Sequence, residues 1–136
     1  MDEEGGVSPN CRFHLRLDLG ILGRMTRYGM VIGLKTEKIP EYKQLHAAVW
    51  PDVLKMIREC NVRNYTIFLR RLPDAKYYLF SYFEYVGGDF RADMAKMAAD
   101  PATQRWWAVC DLTQEPFIDR EPGAWWANME EVFHTD

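Results

Sequence analysis

The chain has 136 residues, 48% hydrophobic and 14% aromatic, with a formal charge of -3. That length suits one domain with its own core, the composition lies far from disordered chains, and the charge offers phosphate backbones no general attraction, so nucleic-acid binding is not expected. No apolar run approaches membrane-spanning length, Asp2, Glu3 and Glu4 replace the basic start of a signal peptide, and the scattered Cys11, Cys60 and Cys110 suit neither a disulfide framework nor a paired-cysteine metal site. The expectation is a cytoplasmic protein with reduced thiols and no membrane contact.

Residues 1–24 mix glycine, proline, asparagine and charges, and read as a disordered extension ahead of a single domain over 25–136. Its His14 is given no role. Arg27 to Leu34, "RYGMVIGL", has the apolar and β-branched content of a first strand. Pro40 suits the first turn of a helix running towards Cys60, and Pro51 within that span must kink it or open a second segment. Val62 to Arg71 and Lys76 to Tyr85 read as strands joined at "LPDA", where Pro73 and Asp74 suit a type I turn. In the first of them Tyr65, Ile67 and Leu69 point one way. In the second, both alternating residue sets are largely aromatic or apolar, so both faces need cover.

After Gly87 and Gly88, Asp89 to Ala99 has a helical spacing of Phe90, Met94 and Met97. Asp100 and Pro101 then make an N-cap and first helical position for a further helix, "PATQRWWAVCDLT". Glu115 to Gly123 reads as a loop, with the last strand placed around Met129 to Phe133. The order strand, helix, strand, strand, helices, strand is the ferredoxin-like α+β plan: a four-stranded antiparallel sheet with helices on one face. The uncovered face is expected to pack on a second copy in a two-fold dimer, a dimeric α/β barrel; a monomer whose tail covers the sheet is the competing arrangement.

The functional signal centres on "EYKQLHAAVWPDV", Glu41 to Val53. As a helix it sets Tyr42 and His46 one turn apart on a stripe continued by Val49 and Val53. A lone histidine there is commonly a core residue bonded to a backbone carbonyl, but a phenol and an imidazole opening on one space also describe a small-molecule pocket. Trp106 and Trp107, adjacent in a helix, diverge by about a hundred degrees. An indole offers a flat π face and an N–H donor, which suit the C–H faces and hydroxyls of a sugar; the competing assignment is one tryptophan in the core and one at the rim.

These segments, with "NYTIFL" carrying Tyr65, "QRWW" at Gln104 to Trp107 and the closing "EVFH", resemble the L-rhamnose mutarotase family in order and spacing from Arg27 to about His134. The resemblance implies a dimer of ferredoxin-like subunits that interconverts the α and β anomers of L-rhamnose or a related deoxy sugar. It makes His46 the proton donor and Tyr42, Tyr65, Trp106 and Trp107 the substrate contacts, and implies no metal or organic cofactor. The long amino-terminal segment and the second pair, Trp125 and Trp126, depart from the family pattern, the pair in a position to shape the pocket rim.

Anomer exchange removes a proton from the anomeric hydroxyl and delivers one to the ring oxygen, which suits an imidazole with a pKa near 6.5. A ferredoxin-like monooxygenase, with the buried histidine as an axial haem ligand, and a non-catalytic sugar-binding module are the alternatives. Glu130, Glu131 and His134 are close in sequence but form no metal motif, and read as a charged terminus.

Overall fold

The computed structural model describes residues 25–136, so the expectations for residues 1–24, with Cys11 and His14, lie outside the described residues. Strand β1 (Thr26–Leu34) leads through a single 3-10 turn (Thr36–Lys38) into helix α1 (Ile39–Ala47) and helix α2 (Pro51–Glu59). The hairpin of β2 (Val62–Arg71) and β3 (Tyr77–Tyr85) follows, then helices α3 (Phe90–Ala99) and α4 (Pro101–Asp111) and the short strands β4 (Gln114–Glu115) and β5 (Ala127–Met129). The architecture is mixed α+β.

Local chemistry explains most of these boundaries. Pro51 divides the long helical span: Trp50 before it is extended (φ -60°, ψ 134°), as a residue preceding proline prefers, so α1 stops and α2 starts afresh. Asp89 caps α3 by accepting from the Ala92 N–H, and Asp100 caps α4 by accepting from both the Thr103 N–H at 2.9 Å and the Thr103 hydroxyl at 2.8 Å. The hairpin turns through Leu72, Pro73 and Asp74, with the Ala75 N–H bonded to the Leu72 carbonyl. Ala75 then adopts φ 67°, the left-handed step that completes a three-residue hairpin loop.

All strand pairs are antiparallel, in the order β2, β3, β1, and the free edge of β1 is shared by β4 along Gly33 and Leu34 and by β5 along Gly29 to Val31. Alternation divides the faces. Tyr28, Met30, Ile32 and Leu34 of β1 and Leu79, Phe83 and Tyr85 of β3 are buried together with Met94 and Met97 of α3. On the opposite face a row of paired residues, Phe68, Phe80, Val31 and Ala127, crosses four strands. Phe68 there is 62% exposed.

Two expectations need correction at the carboxyl end. The last strand covers Ala127 to Met129 instead of Met129 to Phe133, and Val132 and Phe133 are exposed. Continuing the pairing past Met129↔Gly29 would set Glu130 opposite Tyr28, on the core face, and bury a carboxylate. The segment expected to be a loop from Glu115 begins with the bridge of β4.

Candidate active site

A cavity of about 360 Å³ lies between α1, α2, α4 and the core face of the sheet, and Tyr42, His46, Tyr65, Trp106 and Trp107 all line it. Its volume is at the small end of the roughly 300–1,000 Å³ common for ligand sites. The structure therefore brings all five expected residues to one space. Val49 and Val53 join them across the helix break, and Trp50 packs edge-on against Trp106 with centroids 5.1 Å apart.

His46 sits in the last turn of α1, half-buried. Its ring stacks on Tyr42 with centroids 4.0 Å apart and meets Trp106 edge-on at 5.2 Å. Its Nδ1 lies 3.0 Å from the Tyr42 carbonyl, which can only accept, so Nδ1 carries the proton. Nε2 makes no hydrogen bond among the described residues. The competing assignment, a core histidine bonded to a backbone carbonyl, is thus half the description: one nitrogen is held by main chain and the other is available. Burial lowers the imidazole pKa from its ordinary value, and the hydrogen bond to the Tyr42 carbonyl opposes that shift. The ring is consequently neutral at pH 7, with the lone pair on Nε2.

Tyr42 is only 5% exposed, and its hydroxyl is buried with no hydrogen-bond partner among the described residues. Burial raises its pKa strongly, with Tyr65 and Cys110 adding to the shift, while the Gln114 amide is near enough to ease it without closing a hydrogen bond of ordinary geometry. The phenol stays protonated across the working range and acts as a donor. Tyr65 reaches the cavity through a backbone device: β2 is bulged between Arg63 and Thr66, with Asn64 at φ 51°. Asn64 is among the residues that tolerate this conformation, and its side chain is tied to Glu84 at 2.9 Å. The bulge turns Tyr65 towards the core face, where it meets Phe83 edge-on with centroids 5.7 Å apart.

Trp106 is buried and Trp107 half-buried, yet both border the cavity. They share this role because Thr103, Trp106, Trp107 and Cys110 form one i, i+3, i+4, i+7 stripe of α4 that faces the cavity, and the Asp100 cap anchors the first turn of that helix. Residues 27–135 match the family model for L-rhamnose mutarotase.

The chain belongs to the L-rhamnose mutarotase family.

The L-rhamnose mutarotase of Opitutus terrae is 30% identical over 112 residues, spanning 82% of this chain and all of that one. The Bacillus subtilis L-rhamnose mutarotase is 29% identical over the same shares of the two chains. The fold is similar to the crystal structure of an L-rhamnose mutarotase from Formosa agariphila, with a TM-score of 0.61 at 22% identity over 82% of this chain and 99% of that one.

Several residues of this family member's cavity lay beyond the sequence reading. Gln114, Cys110 and Thr103 line it; Trp126, of the pair expected near the rim, also borders it. Trp125 donates from Nε1 to Gln114 Oε1 at 2.9 Å. A second tryptophan pair was the visible departure from the family pattern, but nothing local linked it to Gln114. His134 is remote from this chemistry, bonded at the surface to Arg27 and Asp136. Among the described residues no three His, Cys, Asp or Glu side chains gather as a metal site. No helix among them is long and apolar enough to cross a membrane.

Proposed function

We propose that this protein is a mutarotase interconverting the α and β anomers of L-rhamnose or a closely related deoxy sugar, with His46 as the general acid/base. The observation that carries this reading is a neutral imidazole held by main chain at Nδ1, with Nε2 unbonded beside a cavity lined with tryptophan. The Nε2 lone pair takes the proton of the anomeric hydroxyl, the ring C–O bond opens, and the imidazolium returns a proton to the ring oxygen. The free aldehyde rotates about its C–C bond and recloses by the reverse steps. Proton transfer alone balances the reaction, so it calls for no metal or organic cofactor.

Trp106 and Trp107 supply apolar faces to the sugar, and Tyr42 and Tyr65 supply hydroxyl donors. A methyl in place of a hydroxyl is favoured by an aromatic wall by about 1–3 kcal/mol, so preference for the deoxy sugar is modest. The family comparisons favour neither the monooxygenase nor the non-catalytic module. The direct test is two-dimensional NMR exchange between anomers of L-rhamnose; cross-peaks no stronger with protein than without would contradict the proposal.

The same reading covers assembly and place. The domain is ferredoxin-like, self-contained over residues 25–136 and cytoplasmic, and it dimerises through the open sheet face. A row of apolar residues that includes a largely exposed Phe68 supports that interface. Sedimentation of the full chain checks it: Phe68→Glu is expected to convert a dimer to a monomer.

A further inference from the structure

We infer that Gln114 is a specificity-determining residue that donates its amide N–H to one oxygen of the sugar, held in that orientation by Trp125. This rests on the mutarotase reading of the cavity and adds a recognition element that the sequence did not suggest.

An indole N–H can only donate, so the Gln114 atom 2.9 Å from Trp125 Nε1 must be the carbonyl oxygen. The usual ambiguity between the two ends of a carboxamide is thereby removed. The NH2 end points away from Trp125 and lies near enough to the Tyr42 hydroxyl to ease that phenol's raised pKa. Gln114 is 5% exposed and borders the cavity. A carboxamide carries two N–H donors and the Tyr42 oxygen can meet only one of them, which leaves the other for a ligand in the cavity. Tyr42 adds a further donor beside it, a buried hydroxyl with no hydrogen-bond partner among the described residues. The second amide N–H and the Tyr42 O–H, two neutral donors on one small cavity, match a ligand rich in acceptor oxygens.

The position is built, not incidental. Gln114 opens β4, whose pairing with Leu34 fixes its backbone, and the adjacent Thr113 is tied to Cys110 at the end of α4. Trp125 arrives from the segment before β5. The Gln114 amide is therefore clamped between the sheet edge, α4 and an indole, which makes it a rigid recognition group with little ordering left to do on binding.

The test compares the unaltered chain with Gln114→Met, Gln114→Glu and Trp125→Phe, measuring anomer exchange by NMR as a function of sugar concentration. The sugars are L-rhamnose and its monodeoxy analogues, each lacking one ring hydroxyl. Gln114→Met removes both ends of the amide, whereas Gln114→Glu keeps an acceptor for Trp125 and loses the donors. Both are expected to raise KM for L-rhamnose about tenfold with a much smaller change in kcat, as loss of a ground-state hydrogen bond does. Trp125→Phe frees the amide to flip and is expected to raise KM by a smaller factor. The unaltered chain should discriminate against one deoxy analogue, and Gln114→Met should erase that discrimination. If the unaltered chain exchanges L-rhamnose anomers but Gln114→Met keeps both its KM and its ranking of analogues, the assignment of Gln114 is wrong. If the unaltered chain fails to accelerate exchange at all, the mutarotase reading falls and this inference falls with it.

Discussion

Replacing Tyr42 by phenylalanine separates what the phenol does for the fold from what it does for the ligand. In the free protein its hydroxyl is buried and unpartnered, a condition that costs roughly 1–3 kcal/mol relative to a satisfied group. Phenylalanine keeps the ring that stacks on His46 at 4.0 Å and deletes only the unsatisfied oxygen. The small void left by that oxygen returns part of the gain, leaving a net stabilisation of about 1 kcal/mol. For a domain of this size that corresponds to a rise in melting temperature of roughly 3–6 °C. The same change removes a hydrogen bond to the sugar and should raise KM about 5- to 30-fold. Thermal denaturation of both proteins without sugar, together with KM from NMR exchange, makes the comparison. A lower melting temperature for Tyr42→Phe would mean that the hydroxyl is satisfied in the free protein. Gain in stability with unchanged KM would remove it from the site.

The remaining expectations concern separate parts of the molecule. Ala75 at φ 67° is strained in a way glycine is not, so Ala75→Gly should stabilise the protein by about 0.5–1 kcal/mol in a denaturant titration, with no change in activity. Trp107→Ala should weaken L-rhamnose binding in calorimetry while the domain still melts cooperatively; unchanged affinity would make it a packing residue only. Because burial depresses the His46 pKa, the unfolded chain binds the proton more tightly than the folded one. The stability contributed by the neutral ring is therefore complete above the unfolded value of about 6.5 and lost as pH falls through the lower folded value. Chemical denaturation across that window should show this slope, and His46→Asn should flatten it.

Most of the fold was legible because its signals are local. Pro40, Pro51, Asp100 and Pro101 mark helix starts through backbone constraints that do not depend on distant residues, and "LPDA" marks the hairpin in the same way. The alternation placed Tyr65, Ile67 and Leu69 on one face of β2, which the fold turns inward, although the bulge that helps aim Tyr65 has only Asn64 as its trace. The last strand was misplaced because Val132 and Phe133 carry β propensity, whereas the pairing is decided by which side chains the β1 edge can accept on each face. Tyr42, His46, Trp106 and Trp107 could be read together because helical spacing and the family pattern coincide there. Gln114 could not. Its importance comes from a contact with Trp125, eleven positions later and across a turn-rich segment, which only the folded chain reveals.

His46→Asn tests the central claim most directly, since asparagine retains a polar side chain of similar reach but cannot shuttle a proton at neutral pH. With L-rhamnose near saturation, NMR exchange should show the anomer interconversion rate falling by about a hundredfold to ten-thousandfold, with sugar still bound and the melting profile still cooperative. An exchange rate equal to that of the unaltered protein would contradict the account.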